Sequence, residues 1–176
     1  MSKPLAFVLP RFGAGVVGGA EALVGALAEK LKTSGVKVEI LTTCARDNRT
    51  WENEFSPGES VEDGIVVRRF PVDDRDLDLW IPLQIRLSEG MGLSLDEELT
   101  WMEHSVNSTA LYSFLREHVS RYRAFIFAPY LFGTTFWGVH LVPERAVLLP
   151  CLHDECYAYT AVVRSEFRNA RGIIFN

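Results

Sequence analysis

The chain has 176 residues, 48% of them hydrophobic and 23% charged, a composition that fits one globular domain and excludes disordered or fibrous organisation. Area scaling gives a folded surface of roughly 8,600 Å², so about 70% of the unfolded chain's surface would be buried, enough for a core without disulfides or metals. Eighteen Lys and Arg against 23 Asp and Glu give a formal net charge of −5, which leaves no basic face of the kind nucleic acid requires.

The opening Met1-Ser2-Lys3-Pro4 leads into an apolar run, Leu5–Leu9, ended by Pro10 and Arg11. That run is too short for a signal-peptide core and lacks a small-residue cleavage site. The three cysteines, Cys44, Cys151 and Cys156, are odd in number and irregular in spacing, so they make no disulfide framework. The expected setting is cytoplasmic and reducing.

An unbroken apolar run such as Leu5–Leu9 predicts a strand covered on both faces. A glycine-rich stretch, Gly13 to Gly19, follows it. Ala20, Leu23, Val24, Leu27 and Leu31 then recur at helical spacing up to a stop at Gly35. Residues 36–43 (VKVEILTT) predict the next strand, which completes a βαβ unit and with it a parallel sheet. The polar stretch 44–63, containing Pro57-Gly58, predicts a loop, and Gly64–Phe70 a third strand. Asp73–Asp78 is an acidic tract, and 80–95 shows no clear period. Leu99–Tyr122 predicts one helix with Val106, Leu111, Phe114, Leu115 and Val119 inside. Strands are expected at 125–128, 146–149 and 172–175, with helices near 131–137 and over 157–169. Residues 124–143 contain no Asp, Glu, Lys or Arg, yet Pro129, Gly133, Gly138 and His140 interrupt them, and they read as a buried strand with its helix, not a membrane span. Alternating strands and helices without a linker or repeat predict one domain over 1–176: an α/β fold, a doubly wound Rossmann-like parallel sheet with helices on both faces.

Gly13-x-Gly15-x-x-Gly18 matches the dinucleotide fingerprint in letters. The interval from Leu9 to the helix is too long for that tight turn, however, and the second strand ends in Leu41-Thr42-Thr43 where a ribose-binding acid belongs. The glycines still let backbone amides at a helix N-terminus face an anion, and a plain flexible loop is the alternative. Asp74-x-Asp76 and Asp76-x-Asp78 spell a metal-binding pattern, but a solvated acidic run has the same letters, so no metal is expected. Cys151, His153 and Cys156 do not have zinc spacing. The most informative segment is Leu148–Glu155, where a buried strand ends and His153, Asp154 and Glu155 follow at once. Ligands of open α/β sheets bind beyond the carboxyl ends of the strands, which places His153 where chemistry belongs. Under the alternative, Asp154 caps the next helix and His153 is a bystander.

Gly18-Gly19-Ala20-Glu21 opening a helix, Gly35-x-x-Val38-x-Ile40-Leu41-Thr42-Thr43, Gly64-Ile65-x-Val67-x-Arg69 and the strand-end His153-Asp154 together resemble the N-terminal domain of family 4 retaining glycosyltransferases. The likeness spans nearly the whole chain and is poor over 71–110. It implies the acceptor-side half of a GT-B architecture, whose donor-binding second domain, carrying a separate acidic E-x7-E motif, is expected to lie outside this sequence. By that resemblance Gly18 and Gly19 would offer amides to the donor diphosphate and His153 would contact the donor sugar at the reacting centre. Asp154 and Glu155 are candidate acceptor or donor contacts. The co-substrate would be a nucleotide-sugar, with no other cofactor and no metal. The acceptor would be a sugar, a lipid-linked or a small molecule, with peripheral membrane contact compatible with the lipid-linked case. The missing domain would come in cis or from a partner chain, and this chain alone is expected to be inactive. A non-catalytic binding subunit and a dinucleotide oxidoreductase domain stay open as alternatives.

Overall fold

The computed structural model describes residues 3–175; Met1 and Ser2, the start of the N-terminal segment read above, and Asn176 lie outside them. In chain order the elements are β1 (Leu5–Leu9), α1 (Gly19–Thr33), β2 (Val38–Thr43), β3 (Gly58–Glu62), β4 (Ile65–Phe70), α2 (Leu77–Ser88), α3 (Leu95–Glu103), α4 (Thr109–His118), β5 (Ala124–Phe127), α5 (Gly133–Leu141), β6 (Ala146–Leu148), α6 (Ala161–Asn169) and β7 (Gly172–Ile173). They build one seven-stranded sheet in the order β3-β4-β2-β1-β5-β6-β7. Every pair is parallel except β3 with β4. The chain winds outward from β1 in both directions, so the fold is a doubly wound, Rossmann-like α/β sheet with its switch point between β1 and β5.

The period-2 geometry of strands divides the apolar runs between two cores. Ala6, Val8, Leu41, Phe125 and Phe127 face one side, against Leu111 and Leu115 of α4 and Val139 of α5. Phe7, Leu9, Ile40 and Ile126 face the other, against Val24 and Ala28 of α1. Helices therefore cover both faces, as expected from β1, whose residues Ala6 to Leu9 are all buried. The accessible surface, 8995 Å², lies close to the value expected for a chain of this length.

Three expectations give way. The stretch 44–63 is not all loop: β3 lies inside it, joined to β4 by Asp63-Gly64, both at positive φ (47° and 75°). That two-residue turn is the primed type that matches strand twist. The single helix expected over 99–122 is two, because Ser108 caps α4 by accepting a hydrogen bond from the Leu111 amide, while Ser94 and Glu97 form a capping box at the start of α3. Residues 77–88, from the end of the acidic tract into the 80–95 stretch without a clear period, form α2, capped by the side chain of Asp76. The acidic tract has structural employment: besides Asp76, Asp73 accepts hydrogen bonds from the amide and the hydroxyl of Thr109, each at 2.7 Å. No helix among the described residues is long and apolar enough to cross a membrane.

Two buried carboxyls differ in kind. Glu39, the second residue of β2, accepts hydrogen bonds from Tyr122 Oη (2.6 Å), Arg121 (2.8 Å) and Arg68 Nε (3.1 Å). Burial pushes its pKa up, but these donors outweigh burial and hold the carboxyl below its ordinary range. Glu166, on α6, is fully buried, and neither of its oxygens has a hydrogen-bond partner among the described residues. Burial alone drives that carboxyl well above the ordinary range.

Candidate functional site

The carboxyl edge of the sheet carries two segments that the sequence singled out. The first runs from Pro10, past the end of β1, to α1. Gly18 is the N-cap of α1 and no side chain caps it by a hydrogen bond, so the first turn of a 15-residue helix keeps its amides clear of a capping side chain, with the Glu21 carboxylate beside Gly18. Gly19 is exposed, and a Cβ added there would meet nothing within 4 Å.

Beneath this loop lie three arginines that the sequence reading passed over. A Cβ on Gly13 would come closer than 3.0 Å to the guanidinium of Arg69, and one on Gly15 would collide with that of Arg46. On Gly18 it would collide with the carboxylate of Glu21, which pairs with Arg11 at 2.7 Å. The glycines thus let the backbone lie directly on charged side chains. Arg11 also donates to the Arg46 carbonyl at 3.1 Å and lies over the Trp51 ring. Arg69 pairs with Glu62 at 2.6 Å, donates to Ser60 and to the Phe12 carbonyl, and lies over Phe55. It holds Glu62 below the ordinary carboxylate range. Both Arg11 and Arg69 are 7% exposed, and each keeps a buried Nε without a hydrogen-bond partner. Two signals were available. Arg11 directly follows a buried strand's carboxyl end, the argument applied to His153. Arg69 continues Ile65-x-Val67 at the same parity, which puts it on the covered face of β4.

The second segment follows β6. Leu149 is buried, Cys151 sits at φ 50°, and His153 and Asp154 are exposed. Cys151 packs against the core cluster that contains Val24 and Ala28 of α1, and burial and then the negative charge of Glu21 push its thiol upward. The ring of His153 makes no hydrogen bond to another described residue and is open to solvent. The neighbours are engaged otherwise. Asp154 accepts from Tyr159 Oη at 2.7 Å, and Glu155 accepts from Tyr130 Oη at 2.5 Å. Asp154 is not a helix cap; Thr160 caps α6 by accepting from the Val163 amide. The helix expected over 157–169 begins only at Ala161, behind a short 3-10 turn at Cys156–Tyr159.

The structure therefore brings Gly18, Gly19 and His153 to one edge, ties Asp154 and Glu155 to tyrosines, and adds Arg11. Alongside the glycine loop runs a cleft of about 1130 Å³, between α1 and the β3–β4 hairpin, whose walls include Phe12, Val16, Gly25, Phe55, Ile65 and Arg69. Glu39, the one acid within β2, lies at its amino end and is committed to Tyr122, Arg68 and Arg121. Among the described residues no three His, Cys, Asp or Glu side chains are grouped to hold a metal.

Gly18→Ala is expected to lower stability by about 1–3 kcal/mol, as overpacking does, since the new Cβ displaces Glu21 and strips Arg11 of its carboxylate. Gly18 has an extended φ of 173°, so backbone strain makes no contribution. Gly19→Val should leave the melting temperature nearly unchanged. Thermal melts of the two variants check this contrast, and equal losses would refute the packing described for Gly18.

These features define a Rossmann-like α/β domain whose uncapped helix and strand-end histidine share the carboxyl edge of the sheet. No protein-family model matches the chain, and no curated protein matches it in sequence.

Proposed function

We propose that this chain is the acceptor-side domain of a nucleotide-sugar-dependent, retaining glycosyltransferase, and that it is inactive without a donor-binding second domain. The observation that carries the reading is the placement of the uncapped N-terminus of α1 beside the segment bearing the free His153, at the carboxyl edge of a doubly wound sheet. A diphosphate is matched by helix amides with a nearby guanidinium, Arg11. His153 stands where a polar group would meet the transferred sugar. Its role is to orient that sugar and to stabilise charge developing at the reacting carbon. Asp154 and Glu155 act at one remove, by fixing the His153 segment through Tyr159 and Tyr130.

The test is binding followed by turnover. Residues 1–176 are titrated with UDP-, GDP- and ADP-sugars while backbone amide resonances are followed. The expected result is shifts at Gly18, Gly19 and the 151–155 segment with one nucleotide class, weakened in Gly19→Val, and no sugar transfer to added acceptors. In the protein joined to its donor domain, His153→Ala should lower kcat/KM by roughly a hundredfold while stability moves by only about 0.5 kcal/mol. Transfer by residues 1–176 alone, shifts only with a nicotinamide dinucleotide, or full turnover by His153→Ala would each overturn the proposal.

A further inference from the structure

The α2–α3 hairpin presents a surface that no other described residue covers. Of the twelve residues of α2, eight are Leu, Ile, Trp or Pro, and a helix apolar all round is expected to be covered on every side. Only part of it is. Leu83 and Leu87 enter a core with Trp101 and Met102 of α3, whereas Leu77, Ile81 and Ile85, at i, i+4 and i+8, stay 45–48% exposed. Leu95 and Leu99 extend the apolar surface from α3, at 57% and 36% exposed. Beside these rows a groove of about 330 Å³ runs between the helices, floored by Pro82 and Leu83 and edged by Asp78, Asp96 and Glu97. Pro82 cannot donate to the Asp78 carbonyl four residues back.

The charge of this region identifies what fits it. Residues 73–103 contain nine acids (Asp73, Asp74, Asp76, Asp78, Glu89, Asp96, Glu97, Glu98, Glu103) and two bases (Arg75, Arg86), a net −7 against −5 for the whole chain. The remainder of the molecule is therefore net positive, and the negative charge is concentrated on the hairpin with the exposed apolar rows. A second copy in face-to-face contact would set like charges against each other. An anionic lipid surface and nucleic acid would be repelled for the same reason.

We infer that the α2–α3 hairpin is a docking surface for a helical polypeptide segment that is apolar on one face and rich in Lys or Arg on its flanks. The segment's apolar face covers Ile81, Ile85 and Leu99, and its cations meet Asp78 and Asp96, in the helix-in-groove mode of recognition. This surface is distinct from the glycine-loop edge, and the inference stands whether or not the glycosyltransferase reading does.

The probe is a model peptide of about 14 residues, leucine on one helical face and lysine on the other, with a leucine–glutamate peptide of the same pattern as control. Calorimetry should show the lysine peptide binding and the glutamate peptide failing to bind. Ile81→Ser/Ile85→Ser/Leu99→Ser should weaken binding at least about tenfold, which corresponds to about 1.4 kcal/mol. Asp78→Asn/Asp96→Asn should flatten the loss of affinity seen between about 50 and about 500 mM salt. All five side chains are on the surface, and circular dichroism checks that both variants are folded. Equal binding by the serine variant, binding of both peptides alike, or no binding at all would overturn the inference. So would dimerisation, or attachment to phosphatidylcholine–phosphatidylglycerol vesicles, that the serine variant abolishes.

Discussion

Glu39→Ala should destabilise the protein by about 3 kcal/mol, read from denaturant unfolding at neutral pH. Removing one member of a buried charge cluster costs about 3–5 kcal/mol, and the lower end applies because Arg121 is 41% exposed and partly screened. The loss falls mainly on Tyr122, fully buried, whose hydroxyl would lose its acceptor, whereas Arg68 keeps its pair with Glu59. The sign of its pH dependence follows from the shift. The folded carboxyl titrates below its ordinary value of 4.5, so its stabilisation is present above that pH and is lost as pH falls through the folded value. The gap between wild type and Glu39→Ala should therefore close in acid. A penalty that persists undiminished below the folded value would show that packing, not ion pairing, dominates. Tyr122→Phe, which removes a single donor, should cost less, about 1–2 kcal/mol.

Glu166→Met should act in the opposite direction and raise stability by about 1–3 kcal/mol, the usual penalty of a buried polar group without a partner. The volumes are similar, so the apolar chain fills the same space. The folded carboxyl is raised above its ordinary 4.5, so the wild type keeps its full stability below that pH and loses it as pH rises through the folded value. The advantage of Glu166→Met should accordingly grow from about pH 4.5 upward and level off once the folded carboxyl ionises. Melting curves across that range check it; a variant less stable than wild type at every pH would mean that the carboxyl has a partner. The two acids thus tilt the stability profile in opposite senses, and Glu39→Ala/Glu166→Met should be nearly additive if the sites are independent.

The parallel strands were legible because β1, β5 and β6 read as continuous apolar runs, and β2, although it carries Glu39, Thr42 and Thr43, holds Val38, Ile40 and Leu41 in a wholly buried strand. β3 was not, since GESVE on an edge has one apolar residue and its pairing lies in the turn; Asp63-Gly64 was the available signal. The break between α3 and α4 was hidden by apolar residues that continue on both sides of Ser108, where a capping hydroxyl outweighs the helical period. At the site, strand-end logic pointed to His153, which the structure leaves exposed. The arginine bed under the glycine loop joins residues separated by 31 (Gly15 and Arg46) and 56 (Gly13 and Arg69) positions, a closeness that no local pattern encodes. The same holds for Glu39 and Tyr122, 83 positions apart. Acids at residues 73–78 looked alike in the sequence, and only the structure separates Asp76, a helix cap, from Asp73, a tie to α4.

The strand order has a consequence for how the chain is made. β1 is central, and its two neighbours arrive at different times: Leu5 pairs with Val38 on one side and with Ala124 on the other. The first partner is 33 residues away and the second 119, so β1, α1, β2 and the local β3–β4 hairpin can assemble while β5 is still unmade. At about 5–20 residues per second, the ribosome needs roughly 4–17 s to advance from Val38 to Ala124. Through that interval Ala6, Phe7 and Val8 present a bare, wholly apolar strand edge. The nascent chain is then most exposed to strand-adding misassociation, and synthesis speed through residues 44–123 sets how long that exposure lasts.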